Sequence, residues 1–301
     1  MQNQKTSMAT KKVSKPSEFE TFYNGAVTIE KKPWGDHYRF MIEKRTGILS
    51  NTRITSYLDK SQALLPWAVG LVGTHITSTF ESRKGDTFSK EEIYMVVQEA
   101  VLKPDEAKVA GGKTGDVIHD YAHEFAKADI AGTPLPPVPN LDHLLDEAER
   151  TKALNGINAF LDFYNENDVE FLQMEKLVYY NSLLAGDTKE GEEVIEYLGI
   201  LDLLARVNGK VGVWDYKTGK RVYNEQRYQL SGYFKAWNSN PDNKKLLCEE
   251  SGVLSFSKDT GELTICRVNP EESAKDFKAF KGLHAVAQRE VELEKERTSK
   301  K

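Results

Sequence analysis

The chain has little cysteine: Cys248 and Cys266 are the only two in 301 residues. Two thiols cannot build a multi-bridge disulfide framework, nor supply the four cysteines of an iron–sulfur cluster or of a four-cysteine metal site. No apolar run approaches the ~20 residues needed to cross a bilayer. The stretch from Met1 to Ser17 has no acidic residue, no arginine and no apolar core. It therefore lacks both a secretory h-region and the pattern of a transit peptide. We read residues 1–17 as a flexible tail and expect an intracellular protein. Excess positive charge is missing too, since the net charge is -5. That argues against a blanket binder of duplex phosphates. It leaves room for a metal-binding carboxylate cluster, which is itself negative until a cation reverses its sign. Lys11, Lys12 and Lys15 at one end, and Lys295, Arg297, Lys300 and Lys301 at the other, fit contact with a polyanion and equally well simply solvated ends.

What remains is the composition of an ordinary globular chain, 39% hydrophobic and 29% charged, without an internal repeat. Residues 20–50 have weak strand character. Helices are expected over Asp59–Ile76, with a Pro66-Trp67 step inside, and over Glu91–Leu102. In Gly115–Ala128, Val117, Tyr121 and Phe125 recur at spacing four, giving one apolar face. Gly111-Gly-Lys-Thr114 lacks the upstream glycine and buried strand of a phosphate-binding loop, and is read as a loop before that helix. Gly132 to Pro139 holds four prolines and reads as a stiff extended linker. A helix follows over Leu141–Tyr164, then a strand over Val169–Tyr180 and a polar turn over Gly186–Glu192.

Two apolar-rich strands, Glu196–Val207 and Lys210–Lys217, flank Asn208-Gly209. Asn-Gly between such runs is the strongest short-range hairpin signal, because both turn positions need positive φ. With Val207 opposite Lys210, counting back along both strands puts Asp202 opposite Asp215, with Cβ atoms about 5 Å apart. Like charges so placed are destabilising unless a cation bridges them. Lys217 projects from the same face as Asp215, because side chains alternate along a strand. The bare pattern Asp-x-Lys carries no weight alone, since it recurs at Asp187/Lys189, Asp242/Lys244 and Asp276/Lys278. Glu175 on the preceding strand and His119 on the helix from Gly115 can join the cluster. Gln229 and Tyr233 share a face of the next helix, expected over Gln226–Trp237. A last hairpin is expected at Val253–Ser257 and Leu263–Val268, then a charged helical tail from Glu271.

In this order the motifs Gly115-Asp-Val-Ile-His119, Gln173-Met-Glu175, Gly199-Ile-Leu-Asp202, Asp215-Tyr-Lys217-Thr-Gly and Gln229-Leu-Ser-Gly-Tyr233 resemble the PD-(D/E)XK nuclease superfamily, in its RecB-like exonuclease branch. They span residues 113–268. Upstream, Ile54-Thr-Ser-Tyr-Leu-Asp-Lys60 with Leu64-Leu-Pro-Trp67-Ala resembles the leader of phage-encoded and mitochondrial members.

The resemblance implies an α/β fold with an αβββαβ core, a mixed sheet flanked by helices. The core would span 113–285, with a mainly helical N-terminal extension over 18–112 and a charged tail over 286–301. It implies one or two Mg²⁺ or Mn²⁺ ions and no iron–sulfur cluster. By it, His119, Asp202, Asp215 and the Tyr216 backbone carbonyl bind metal, Lys217 is catalytic with Asp215, Asp202 and Glu175, and Gln229 and Tyr233 support the site and touch DNA; Trp67 is a separate candidate for DNA contact. It further implies DNA with a free end as substrate, a recombination or repair partner protein, no membrane, and the cytoplasm of a bacterial or phage-infected cell.

Alternatives stand beside this exonuclease reading. A structure-selective endonuclease shares the catalytic core, and a DNA-binding protein can keep the fold without catalysis. His119-Asp-Tyr-Ala-His123 has the spacing of a zinc-peptidase helix, but with Asp120 where that motif needs Glu. Trp67 and Trp237 fit either base stacking or core packing.

Overall fold

The computed structural model describes residues 16–34, 37–142, 146–219 and 221–299. Most of the expected 1–17 tail, with Lys11, Lys12 and Lys15, lies outside the described residues, as do Lys300 and Lys301. Alternating apolar and polar residues build β1 (Glu18–Phe22), β2 (Val27–Trp34) and β3 (His37–Ile42) into an antiparallel sheet. Its inner residues Phe22, Ile29 and Ile42 pack on Leu177, Tyr179 and Leu198. The expected mainly helical extension thus opens as a sheet.

Next come β4 (Leu49–Ser50) and α1 (Asn51–Thr55), where the Ser50 hydroxyl caps the helix by accepting from the Arg53 amide at 3.1 Å. Beyond them α2 (Ser61–Ser82) and α3 (Lys90–Ala131) lie side by side. A capping box of Ser89 and Glu92 starts α3, and Gly132 at φ 63° ends it. Over its 42 residues, α3 joins the two helices expected at Glu91–Leu102 and Gly115–Ala128. Gly111 to Thr114 therefore lie inside a helix and not in a loop, and the boundary drawn between 112 and 113 cuts a continuous element. Proline at 104 removes one backbone hydrogen bond, and each glycine costs about 1 kcal/mol against alanine. The strong helix formers of Asp105–Ala110 and the packing of the C-terminal half offset this.

The extended stretch after Gly132 leads to α4 (Glu147–Glu166), which starts at an Asp146/Glu149 capping box, later than the expected Leu141. The six-stranded main sheet then forms from β5 (Val169–Asn181), β6 (Glu196–Val207), β7 (Lys210–Lys217), β8 (Glu250–Phe256) and β9 (Leu263–Val268), together with β4. Between β7 and β8 the chain crosses through α5 (Asn224–Ser239), and α6 (Pro270–Ser299) closes the fold. β5, β6 and β7 run antiparallel in turn, β8 is parallel to β7, and β9 antiparallel to β8.

One face of this mixed sheet, with Leu203, Ala205, Trp214 and Tyr216, packs on Ile118 and Phe125 of α3 and Phe160 of α4. On the other face Leu204, Val211 and Val213 meet Leu230 and Tyr233 of α5, with Phe280 of α6 behind. The architecture is therefore α/β, a mixed sheet flanked by helices. The stretch read as a charged tail after residue 285 continues α6, where Ala287 is buried and Val291 packs on the core. Among the described residues no helix is long and apolar enough to cross a membrane.

Candidate active site

Asn208 at φ 51° and Gly209 at φ 83° make the tight turn between β6 and β7. The register is the one the turn demands: Val207 faces Lys210, and pairing runs back to Leu203 opposite Trp214. One step further, where Asp202 and Asp215 come opposite, the ladder ends. There Asp202 Oδ2 accepts a hydrogen bond from the Tyr216 amide at 2.9 Å. Along its other edge β6 pairs with β5 over its whole length, whereas on this edge it meets β7 only from Leu203 and β4 only at Tyr197 and Leu198. Residues 199–202 thus line a gap between two neighbouring strands. The gap is what opens the sheet at Asp202.

Asp215 is 1% exposed, while Asp202 is half-buried. Each of the two carboxyls acts on the ionisation of the other. Burial raises the Asp215 carboxyl from 3.8 to about 6, with Lys217 pulling it down and the Asp202 charge pushing it up. Asp202 is raised too, chiefly by burial. Burial alone would lower the Lys217 ammonium, but the charges of Asp215 and Asp202 more than offset this and raise it. Lys217 Nζ forms an ion pair with Asp215 Oδ2 and donates to the Tyr216 carbonyl at 3.1 Å. Asp215 Oδ2 nevertheless has no well-aligned hydrogen bond. Two oxygens, one a buried carboxylate and one a backbone carbonyl, therefore aim at a single cationic point.

α3 sets His119 against Tyr216, the residue between Asp215 and Lys217. Its ring meets the Tyr216 ring edge to face at 5.8 Å between centroids. Burial first, and the Lys217 charge second, hold its imidazole below 6.5, so it is neutral at pH 7. Glu175 sits between Met174, opposite Leu203, and Lys176, opposite Leu201, which sets it in one row with Asp202. Its own φ is 45°, a left-handed conformation in which its side chain leaves the ladder. The carboxylate is 67% exposed and lies 3.6 Å from His123 Nδ1, although its charge still reaches Asp202. Glu175 therefore stands at the rim. His119 and His123 lie one turn apart on α3, His119 against the Tyr216 ring and His123 beside Glu175. Among the described residues no group of three or more His, Cys, Asp or Glu is gathered tightly enough to hold a cation unaided.

Gln229 and Tyr233 do share a face of α5: Gln229 Nε2 donates to Tyr233 Oη at 3.1 Å and to Thr52 Oγ1 at 3.2 Å. Tyr233 is buried, and the charges of Asp202 and Asp215 help to raise its phenol after burial itself. Asn51, fully buried at the start of α1, donates to the Gln229 carbonyl at 3.0 Å. Asn51 and Thr52 were not singled out from sequence. They precede the leader motif directly, but nothing local marks them as neighbours of α5. Gly199, inside the gap, is required by close approach, since a Cβ there would lie 2.6 Å from Tyr233 Cε1 and 3.0 Å from Asn51 Cβ. We expect Gly199→Val to lower stability by about 1–3 kcal/mol through overpacking, read as a fall in the urea midpoint at constant slope. An unchanged midpoint would mean that the Tyr233 ring is free to move.

No described protein family matches this chain, and no curated protein matches it. Among the solved structures that it matches is one described as the crystal structure of SSO0001, at 14% identity over 56% of this chain and 74% of that one. The TM-score is 0.28, too low to carry an argument.

The two tryptophans considered for base stacking divide. Trp237 is buried at 2% exposure and donates from Nε1 to the Leu246 carbonyl at 2.7 Å, so it is core. Trp67 is 43% exposed.

Proposed function

We propose that the chain is a Mg²⁺- or Mn²⁺-dependent deoxyribonuclease of the PD-(D/E)XK type, RecB-like in its motifs, that hydrolyses phosphodiester bonds from a DNA end. The observation that carries this reading is the facing pair Asp202 and Asp215 at the gap in the sheet, with Lys217 on the same strand face. Structural carboxylates are seldom paired at so high a desolvation cost, and perturbed pairs of this kind cluster at functional sites. The element order supports it too: a helix, three antiparallel strands, a crossing helix and a parallel strand agree with the αβββαβ plan that the motifs imply.

The donor set fits a hard divalent cation, which takes oxygens and tolerates one imidazole. Asp202, Asp215, the Tyr216 carbonyl and His119 would hold it. When bound, such an ion polarises the scissile phosphate and acidifies water. Lys217 would place its ammonium against the developing charge on the phosphoryl oxygens or orient the attacking water. Tyr233 and Gln229, joined to Thr52, fix the wall opposite the carboxylates. Nothing in this set reads a base, so the chemistry by itself implies no sequence specificity.

Purified protein with labelled linear DNA and a closed circle, in Mg²⁺, Mn²⁺ or EDTA, tests the proposal. Loss of linear DNA alone, and only with cation, is the expected result. Cutting of the circle would move the activity to an endonuclease. No cleavage with either ion would leave a DNA-binding protein that keeps the scaffold.

A further inference from the structure

Among the described residues, α2 packs extensively on α3 alone, and none of its own residues is buried. His75 Nε2 stands 3.6 Å from a Glu99 oxygen, and Arg83 pairs with Glu92 at 3.0 Å, so the two helices form an antiparallel hairpin. From Ser61 to Phe80, α2 has no Lys, Arg, Asp or Glu. A helix of that composition ordinarily turns its apolar residues inward. Here Leu65 and Val69 are 63% and 69% exposed, and on α3 Tyr94 is 65% exposed. The more covered positions of α2 include Ala68, Val72 and His75, while α3 buries Val96 and Ala100. In two antiparallel helices, the residue after each contact residue falls on the same side of the pair. Val69 therefore shares a face of the hairpin with Val97 and Val101. Tyr94, Val97 and Val101, spaced three and four apart, make one stripe there.

Together Leu65, Val69, Ile93, Tyr94, Val97 and Val101 leave roughly 600 Å² of apolar surface open, at the upper end of what a monomer shows in one patch. A standard interface takes about 800 Å² from each partner, about 57% of it apolar, so this face suffices for one. Its charges are self-complementary. Lys90 lies four residues before Tyr94, and Asp105 four residues after Val101. Among the described residues neither has an ion pair, whereas the neighbouring charges pair as Arg83 with Glu92 and Lys103 with Glu106. We propose that this face joins two copies of the chain into a dimer, with α3 antiparallel to the partner's α3 about a two-fold axis between Val97 and Gln98. Tyr94 then meets the partner's Val101, and Lys90 the partner's Asp105, each contact occurring twice because a two-fold interface is isologous. The paired hairpins make a four-helix unit in which each covers the other's apolar face. A lipid surface fits less well, since basic residues ordinarily line the polar face of an interfacial helix and α2 has none from Ser61 to Phe80. The inference stands apart from the nuclease reading.

Sedimentation equilibrium of the full chain at low salt tests it, and a dimer that forms at micromolar concentration or below is expected. Tyr94→Glu weakens that dimer by at least about 30-fold, as loss of a central aromatic anchor does. Lys90→Glu weakens it by about tenfold, and adding Asp105→Lys to that variant restores it. Circular dichroism melts check that each variant is folded, as exposed positions allow. A short bis-maleimide couples two copies carrying Val97→Cys, close to the axis. Copies carrying Val109→Cys stay uncoupled, because those positions lie roughly 35 Å apart along the helices. The parent chain sets the background from half-buried Cys266. A chain that stays monomeric at every concentration overturns the proposal, and flotation with phosphatidylcholine vesicles would then assign the face to lipid. A dimer indifferent to Tyr94→Glu and to the charge exchange, or coupled at 109 and not at 97, overturns it as well, since the copies then meet elsewhere.

Discussion

Lys217→Ala is expected to slow DNA cleavage by roughly 10²- to 10³-fold at saturating DNA and cation, the usual loss when one preorganised electrostatic group is removed, with little change in KM. The side chain is placed for this effect. It is largely withdrawn from solvent at 26% exposure and is held by Asp215 and the Tyr216 carbonyl. Its charge therefore acts in a poorly screened environment and costs no reorganisation when negative charge develops nearby. A second readout separates catalysis from mere folding. Because Lys217 pulls the Asp215 carboxyl down, removing it moves the acid limb of the pH–rate profile upward. Single-turnover rates across pH would show both effects. A loss below about tenfold, with an unmoved acid limb, would take Lys217 out of the reaction.

In the absence of cation, Asp215→Asn is expected to be more stable than the parent at pH 8 by on the order of 3 kcal/mol. In the folded protein Asp215 keeps its proton up to about pH 6, whereas its ordinary value is 3.8. Between those values the folded chain binds more protons than the unfolded one, so stability falls as pH rises. The contribution is fully present below pH 3.8 and lost as pH passes 6. Asp202, also raised, works in the same sense. His119, held below 6.5, works in the opposite sense, and the difference between variant and parent cancels it. Melting curves in EDTA should therefore coincide near pH 4 and separate by several degrees above pH 6. Saturating Mn²⁺ should then reverse the order: an ion at about 100 times its Kd stabilises the parent by about 2.7 kcal/mol and leaves the variant nearly unmoved. An Asp215→Asn protein less stable than the parent at pH 8 without cation would show that Asp215 is a structural ion-pair partner of Lys217.

The readable parts of this protein are those set by residues close in sequence. Asn208-Gly209 needs two positive φ angles, which closes the hairpin in one register and sets Asp202 against Asp215 before anything else is known. Gln229 and Tyr233 meet because four residues make one helical turn. Strand β5 and the β8–β9 hairpin followed from runs of apolar residues bounded by turn residues. Breakers were read less well. One helix was expected to stop at Leu102 and Gly111-Gly-Lys-Thr114 to form a loop, yet α3 runs through both, because a local cost of about a few kcal/mol is outweighed by packing.

The rest depended on contacts between distant residues. Glu175 was expected among the carboxylates, but a single left-handed residue in β5 turns it toward His123, and no spacing rule announces that. The β1–β3 sheet gathers on β5 from a segment with only weak strand character. Asn51 and Thr52 reach the site because β4 pairs with β6 just beyond the point where β7 leaves it. Turn chemistry and periodicity were enough to place two aspartates and a lysine on one strand pair, since neighbours in the chain fix those relations. The gap that exposes them and the wall that faces them arise only when segments far apart in sequence pack together.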